Sequence, residues 1–244
     1  MNTLASNIRW IVDREMFSPG FLGMFVNPFF FARKGLVQHI GDLSQAITGK
    51  TLDVGCGSKP YEYLYNTSEY IGLEYYSGTG KKKKSVDFFY DGHEFPFGNN
   101  IFDSLVSNQV FEHVFNPEEF LSEIWRVLKP GGHLLMTMPF VWDEHEQPND
   151  FARYSSFGIQ AMLEKYGFKI ITHRKSTDDV RTIFQMMNTY IYKKTVTSNY
   201  WINLFLTIFL MAPFNVLGEM LSYITPKNDD LYLDNIVLAQ KVAK

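Results

Sequence analysis

A short glycine-rich turn contains the residues whose spacing most clearly predicts ligand chemistry. Residues 51–54 form an apolar run typical of a strand, and Gly55, Cys56 and Gly57 follow it directly. Glycine permits a positive φ and lets a ligand approach the backbone closely. Glu74 ends the next apolar run, and a carboxylate there can accept hydrogen bonds from both hydroxyls of a ribose. The two segments therefore predict a site for a ribose-containing cofactor.

Pro60 distinguishes between the two cofactors that use such a turn, a dinucleotide and S-adenosylmethionine. A dinucleotide needs a third glycine at this position, because the N-terminus of the following helix binds the pyrophosphate. Pro60 has no N–H and makes a poor cradle for that group. S-adenosylmethionine carries no phosphate; it needs a turn that admits its amino-acid tail, with a carboxylate such as Asp53 nearby. The turn thus favours S-adenosylmethionine, and a plain strand-to-helix connection is the alternative.

A second group of reactive side chains lies in residues 139–154, which are rich in acidic and aromatic residues and contain one histidine. The imidazole of His145 titrates near neutrality, so it can act as a general base toward a hydroxyl group. Asp143 or Glu144 could orient it, and Arg153 is a further candidate for the reaction site. These residues predict an acceptor site in which a base assists transfer to a hydroxyl.

Two other interpretations of this segment stay open. It could be a solvated acidic loop in which Arg153 pairs only with Asp150. It could also hold a metal through residues 143–146, but four successive side chains point in different directions. We therefore predict no metal site. His113 is better explained as a packing or capping residue at the start of a helix than as a catalyst.

Alternating strands and helices must position these residues. The clearest helix follows Asn116, a good N-cap, and has Pro117 at its first position. Strands that alternate with helices predict an α/β fold with a mostly parallel sheet and helices on both faces. The predicted strands are residues 51–54, 70–73, 104–107, 134–138, 168–172 and 234–239, and the predicted helices are residues 36–47, 117–128, 156–166 and 180–194.

An ordered set of landmarks after the glycine turn resembles the class I S-adenosylmethionine-dependent methyltransferases, methyltransferase type 11 in particular. The landmarks read Phe-Pro-Phe at 95–97, Phe-Asp at 102–103 and Leu-Lys-Pro-Gly-Gly at 128–132. The resemblance covers about residues 48–172 and the final strand. It implies a Rossmann-like, seven-stranded sheet that is mostly parallel, with an antiparallel last strand.

The same resemblance implies which residues contact S-adenosylmethionine. Lys59 stands where a third alternate glycine is frequent, so the fine geometry of the turn departs from the commonest pattern. Asp91 as a turn residue and Asn108 as a helix cap are the alternatives. The implied contacts are the methionine part at Asp53, Gly55, Cys56 and Gly57, the ribose at Glu74, the adenine amino group at Asp91 and Gly92, and the floor of the methyl-donor site at Ser107 and Asn108.

Three segments resemble a bacterial methyltransferase subgroup often linked to cell-surface polysaccharide biosynthesis: residues 139–154, residues 17–31 and residues 229–235. This resemblance implies a saccharide or glycolipid hydroxyl as acceptor, including a lipid-linked saccharide. Two alternatives remain. The enzyme could methylate a quinone, a lipid or another small apolar acceptor, or the chain could be a non-catalytic module that binds S-adenosylmethionine.

The composition narrows the class of protein further. The chain has 244 residues, a net charge of −3 and one cysteine, so neither a disulfide nor a nucleic-acid partner is expected. Charged residues interrupt the first fifteen positions, which predicts no secretory signal and a cytoplasmic protein. We divide the chain into a leader (1–47), a cofactor-binding core (48–175), an apolar insert (176–232) and a final strand (233–244). The sequence leaves the oligomeric state open.

The apolar insert is the segment that predicts contact with a membrane. Residues 195–226 carry one charge, Glu219, and residues 200–218 approach the length that spans a bilayer. Pro213 and two asparagines weaken a spanning helix. We favour helices that lie at the inner membrane surface, where flanking lysines (Lys193, Lys194 and Lys227) meet anionic headgroups. A cover over the active site and a dimer face are the alternatives.

Overall fold

The computed structural model describes residues 3–76 and 85–242, and the four lysines at 81–84 lie outside the described residues. The chain divides into two compact units, each with its own hydrophobic core. The first unit comprises Met1–Gln38, Val141–Asp143 and Lys175–Asp234, and the second comprises His39–Phe140, Glu144–Arg174 and Asn235–Lys244.

Seven strands form one sheet in the order β3-β2-β1-β4-β5-β7-β6. Strand β1 is parallel to β2 and β4, the pairs β2–β3 and β4–β5 are also parallel, and the end of the sheet is antiparallel. The predicted α/β, Rossmann-like sheet with a reversed last strand is therefore confirmed. The strands are β1 (Lys50–Val54), β2 (Glu69–Tyr75), β3 (Phe88–Tyr90), β4 (Phe102–Asn108), β5 (Leu128–Pro139), β6 (Phe168–Ser176) and β7 (Asp234–Lys241).

The register of the central strands brings the candidate site residues to one edge of the sheet. Val54 pairs with Leu73, so the glycine turn begins beside Glu74. Asp53 pairs with Val106, which places the end of β4 at the same level. Because parallel strands run in one direction, the loops that follow them leave from the same edge.

Three helices of the second unit follow from local sequence signals. Helix α4 (Pro117–Val127) buries its apolar face, and α5 (Ser156–Lys165) is capped by Ser155, whose Oγ accepts a hydrogen bond from the Gly158 N–H. Asn116 is the N-cap of α4, but its side chain makes no capping hydrogen bond, so that part of the prediction is wrong. The predicted helix at 36–47 is the last part of α3 (Phe30–Leu43) and a 3₁₀ turn at Ser44–Ala46.

The first unit consists mainly of helices, some joined by irregular backbone. They are α1 (Thr3–Phe17), α2 (Gly23–Val26), the first part of α3, α6 (Arg181–Thr195), α7 (Tyr200–Leu206) and α8 (Ala212–Ser222). Buried amides satisfy the backbone between α1 and α3: Gln185 accepts a hydrogen bond from the Phe31 N–H, and Asn215 donates to the carbonyls of Met24 and Asn27. A buried backbone group without such a partner would be costly.

A buried lysine joins the last strand to the end of α4. The Lys241 Nζ donates to the carbonyls of Trp125 and Leu128 at 2.7 and 2.6 Å, and it lies 3.8 Å from the centroid of the Trp125 ring. The cation thus satisfies carbonyls that α4 and its end leave without helical partners.

Replacing this lysine tests how much it stabilises the fold. We expect Lys241→Met to lower the free energy of unfolding by about 3 kcal/mol, because two buried carbonyls lose their donor. Urea denaturation followed by circular dichroism measures the change. Lys169→Met, which alters an exposed lysine on β6, is the matched control. Equal denaturation midpoints for the two variants would contradict this role of Lys241.

Candidate functional site

The two glycines of the turn after β1 are required for different structural reasons. Gly55 adopts a φ of 74°, and a Cβ there would lie 2.3 Å from the Val110 side chain. Gly57 adopts a φ of 52°, but no atom of the described residues lies within 4 Å of the place a Cβ would take. Gly55 is therefore required by packing, whereas the space over Gly57 can accept the tail of a ligand.

Lys59 occupies the position where the resembled pattern has a third glycine. Its φ is 56°, a left-handed conformation that glycine adopts at lower cost. The Lys59 Nζ forms an ion pair with Asp87 at 2.7 Å, and the Lys59 N–H donates to the Cys56 carbonyl. The turn thus keeps a glycine-like conformation at this position, held by side-chain and backbone contacts.

Asp53 is a buried carboxylate next to the turn. The Tyr70 hydroxyl donates to it at 2.9 Å. Burial raises the pKa of Asp53 to about 7, and the hydrogen bond from Tyr70 and the charge of Lys59 oppose that rise. A nearby cationic ligand would stabilise the ionised form of such a carboxylate. The methionine part of S-adenosylmethionine carries an ammonium and a sulfonium group.

Glu74 and Cys56 contribute to the turn in different ways. The Glu74 carboxylate accepts a hydrogen bond from the Gly57 N–H at 2.9 Å, which ties the turn to the end of β2. Burial raises the pKa of the Cys56 thiol to about 12, so the thiol stays neutral. The Cys56 N–H donates to the Leu73 carbonyl. Cys56 therefore shapes the site through its backbone and packing.

The remaining predicted cofactor residues lie at the ends of β3 and β4. Ser107 is buried, and its Oγ has no hydrogen-bond partner within the described residues, as expected of a group that bonds a ligand. Asn108 ends β4, and its Oδ1 lies 3.4 Å from the Thr137 hydroxyl. Asp91 is exposed and accepts a hydrogen bond from the His93 N–H, so it closes a turn that also contains Gly92. A role of Asp91 toward adenine stays a prediction.

A buried carboxylate organises the loop in which the sequence predicts an acceptor site. Asp150 accepts hydrogen bonds from both terminal nitrogens of Arg153, at 2.6 and 2.7 Å, and from the His145 backbone N–H. The His145 Nδ1 lies 3.3 Å from the Asp150 Oδ2 and 3.5 Å from the Arg153 Nη2. The Arg153 guanidinium holds the pKa of Asp150 well below its usual range.

This arrangement corrects two expectations for the loop. Asp150, rather than Asp143 or Glu144, is the carboxylate beside the His145 ring. Asp143 belongs to the first unit and pairs with Lys193 at 2.7 Å, and Glu144 accepts a hydrogen bond from Gln147. The loop is also not simply solvated, because the Asp150 side chain is only 3% exposed.

Sequence reasoning assigned no role to Glu112 and placed His113 at a helix start. Both residues lie in a 3₁₀ turn, Phe111–His113, that follows β4 and precedes α4. The His113 ring packs edge-on against His145, with ring centroids 4.7 Å apart, and Glu112 is fully buried beside it. The packing alternative therefore fits His113, and capping of α4 does not, because Asn116 is the N-cap. The local signal was a Glu-His pair shortly after a strand.

Comparisons with known proteins agree with the fold. The family profile described as "Methyltransferase domain" matches residues 52–136. The chain is 35% identical over 81 residues to the ubiquinone/menaquinone biosynthesis C-methyltransferase of Ruegeria sp., covering 33% of this chain and 28% of that protein. It is 26% identical over 167 residues to an O-methyltransferase of Aspergillus nomiae, covering 57% and 73%.

A solved structure extends the likeness beyond the matched segment. An N-methyltransferase of Haemonchus contortus, solved with phosphomonomethylethanolamine and S-adenosylhomocysteine, superposes with a TM-score of 0.58 at 17% identity. That match covers 95% of this chain and 57% of the other. The profile match is limited to residues 52–136 and the solved structure shows the fold alone, so the comparisons support a methyltransferase domain with a Rossmann-like fold in the central part of the chain. S-adenosylmethionine is the cofactor that such domains use.

The raised pKa of Asp53 predicts how cofactor binding depends on pH. Below pH 7 the carboxyl group is protonated, so a cationic ligand must displace the proton; above pH 7 the carboxylate is already ionised. We expect the affinity for S-adenosylmethionine to fall roughly tenfold for each pH unit below 7. Titration calorimetry between pH 5.5 and 7.5 measures this. Asp53→Asn should bind more weakly and without this slope; a wild-type profile that is equally flat would contradict the assignment.

Proposed function

We propose that this chain is an S-adenosylmethionine-dependent methyltransferase that methylates a hydroxyl oxygen of a saccharide or glycolipid. One observation carries the proposal: a loop suited to the cofactor and a histidine beside a buried, ionised carboxylate follow strands of the same parallel group, at one edge of the sheet. Asp53 and Glu74, near the ends of β1 and β2, and Gly57, in the turn after β1, form the first part. His145 and Asp150 form the second part, after β5. Bound S-adenosylmethionine supplies a methyl group on a sulfonium sulfur.

The acceptor side favours oxygen over nitrogen. A hydroxyl must lose its proton as the oxygen–carbon bond forms, whereas a neutral amine can attack with its lone pair. His145 is the group that makes the hydroxyl reactive, and Asp150 stabilises the imidazolium that results if His145 takes the proton. The bond from carbon to sulfur breaks in the same step and leaves a neutral thioether. Positioning supplies most of the rate, because the displacement is in line.

An apolar groove in the first unit supports a lipid-linked acceptor. It has a volume of about 440 Å³ and follows α6, with Ile183, Met187 and Tyr190 among its lining residues. A groove of this size accommodates part of an alkyl or polyprenyl chain. The same groove suits a quinone tail, so a quinone acceptor is the second candidate. The name of the Ruegeria relative, a quinone-biosynthesis C-methyltransferase, favours that candidate.

We also propose that α7 and α8 contact the surface of an anionic membrane. A π-helical segment, Thr207–Met211, joins α7 to α8 in one continuous helix, Tyr200–Ser222. Among the described residues, this is the helix long and apolar enough to cross a bilayer, yet 28% of its most apolar window is buried within the protein. One face carries exposed rings and chains, including Trp201, Phe205 and Phe209, whereas Asn215 is directed inward. Such a helix is suited to lying in the interface rather than spanning it.

Basic side chains around this helix favour contact with a membrane whose headgroups are anionic. Lys194 is exposed at the end of α6. Arg9 is exposed on α1, with its guanidinium 4.9 Å from the Tyr200 ring and its Nε 3.9 Å from the Asp13 carboxylate, whereas Lys193 and Lys227 pair with Asp143 and Asp178. The only acidic residue of the helix, Glu219, pairs with Lys34 and Arg181. The exposed surface near the apolar face is therefore suited to anionic headgroups.

Labelling of a cell extract tests the reaction and identifies the acceptor. Purified protein and S-adenosylmethionine with a labelled methyl group should label the saccharide or glycolipid fraction, in a linkage that resists mild base because it is an ether. His145→Ala should reduce labelling about 10²–10⁴-fold while cofactor affinity is retained. Label in the quinone fraction would favour the second candidate. Cofactor binding without any labelled product would indicate a non-catalytic binding module.

Liposome flotation tests the membrane contact. The Phe205 and Phe209 rings are 57% and 61% exposed and lie 4.4 Å apart, so replacing both by Ser should leave the fold intact. We expect flotation with anionic liposomes to fall roughly tenfold, because two large apolar side chains no longer enter the lipid. High salt should weaken wild-type flotation. Phe157→Ser, which removes a ring 82% exposed on α5, is the matched control; a wild type that does not float would refute the proposal.

A further inference from the structure

Two histidines and a buried glutamate meet where the loops after β4 and β5 approach each other. One ligand atom each from Glu112, His113 and His145 lies within 4.8 Å of the others. The backbone holds the two loops together, because the N–H groups of Phe151 and Ala152 donate to the Glu112 carbonyl at 2.8 and 3.2 Å. Three donor groups from two segments therefore converge on one point.

The hydrogen bonds of the two rings determine which nitrogen can bind a cation. The His113 Nδ1 lies 2.7 Å from the Asn149 carbonyl oxygen, which can only accept, so the Nδ1 carries the proton. In that tautomer the Nε2 carries a lone pair, and this atom lies 3.7 Å from the Glu112 Oε1. The His145 Nδ1 lies 3.3 Å from the Asp150 Oδ2, an acceptor, and 3.5 Å from the Arg153 Nη2, a donor; a proton on Nδ1 directed at Asp150 leaves the lone pair on Nε2, which is the tautomer that a metal site requires.

This pattern is the one that metal-binding histidines show. A ligating imidazole almost always donates its other N–H to a carbonyl or a carboxylate, which fixes the ring and makes it more basic. Two imidazole nitrogens and one carboxylate oxygen are a ligand set of catalytic zinc sites, in which further coordination positions stay open. A carboxylate as fully buried as Glu112 is also costly unless a cation or a proton accompanies it.

We propose that Glu112, His113 and His145 bind a divalent transition-metal cation such as Zn²⁺, with Asp150 and the Asn149 carbonyl orienting the two rings. Of residues 143–146, which the sequence analysis considered and rejected as metal ligands, only His145 belongs to this site. The other two ligands, Glu112 and His113, come from the turn after β4. This site departs from the expectation of no metal.

The position of the site gives the cation a role in the proposed reaction, and this part rests on the proposed function. The open coordination positions would take an acceptor hydroxyl and lower its pKa, so its proton leaves to solvent. The oxygen then forms the new bond to the methyl carbon as the carbon–sulfur bond breaks. His145 would act as a ligand in place of a general base. Neighbouring hydroxyls, as in a sugar, could occupy two positions at once.

Metal titration tests the site without cofactor or acceptor. Protein dialysed against a chelator should bind one equivalent of Zn²⁺ by calorimetry, and Co²⁺ should give visible absorption bands of a nitrogen- and oxygen-ligated ion. His113→Gln and His145→Gln should each weaken binding at least tenfold, and Asp150→Asn about tenfold. His93→Gln, which changes an exposed histidine paired with Glu119, should bind as the wild type does. Thermal unfolding and cofactor binding confirm that each variant is folded.

The outcomes separate the metal site from the proposed function. Absence of Zn²⁺ binding, or wild-type affinity in both histidine variants, would overturn the site whatever the reaction is. Methyl transfer that survives complete metal removal would overturn the role of the cation while leaving the methyltransferase proposal in place. Methyl transfer lost on chelation and restored by one equivalent of metal would support both.

Discussion

Parallel pairing of β1 with its neighbours β2 and β4 is the constraint on which the site depends. A parallel pair requires the chain to cross over between strands, so every strand of the group ends at the same edge. This edge carries the glycine turn, Glu74 near the end of β2 and the Glu112–His113 pair, although these are far apart in sequence. Because both faces of the sheet are buried, the strand interiors are mostly apolar, and the polar groups of the site lie near the strand ends and in the connections that follow them. The sheet thus collects reactive groups that no local segment could bring together.

Buried carboxylates give this edge a preference for cations. Asp53, Glu112 and Asp150 are all withdrawn from water, yet they are compensated in different ways. Arg153 fully pairs with Asp150, whereas Asp53 has a tyrosine hydroxyl and a raised pKa. A buried charge with partial compensation stabilises an incoming ligand of opposite charge more than it stabilises the empty protein. A buried carboxylate of this kind destabilises the free protein but strengthens the binding of a cation. We therefore assign Asp53 to ligand binding, and Asp150 to the orientation of its neighbours.

The sequence predicted the fold better than it predicted the acceptor site. Helix α4 follows from its N-terminal proline and apolar spacing, and the strands at the centre follow from apolar runs that end in glycine or acidic residues. Strand β3, only three residues long, was not predicted as a strand because Phe88–Tyr90 is too short to show an alternation. The place of Asp150 beside the His145 ring and that of Glu112 were missed, although the pairing of Arg153 with Asp150 was one of the interpretations left open. Backbone hydrogen bonds hold the loop after β5 against the Glu112 carbonyl, and such bonds leave no pattern of side chains in the sequence.

The two faces of the helix formed by α7 and α8 serve different purposes, one for folding and one for binding. Thr207, Met211 and Asn215 recur at intervals of four and are buried, and Asn215 satisfies backbone carbonyls of the leader. The fold therefore uses this face of the helix. The opposite face, with Trp201, Phe205 and Phe209, contributes nothing comparable to folding, and apolar surface in water favours aggregation. Polar residues on that face would preserve the hydrogen bonds of Asn215 and the packing of the buried face. Its apolar character is therefore better explained by a binding partner that is itself apolar than by any requirement of the fold.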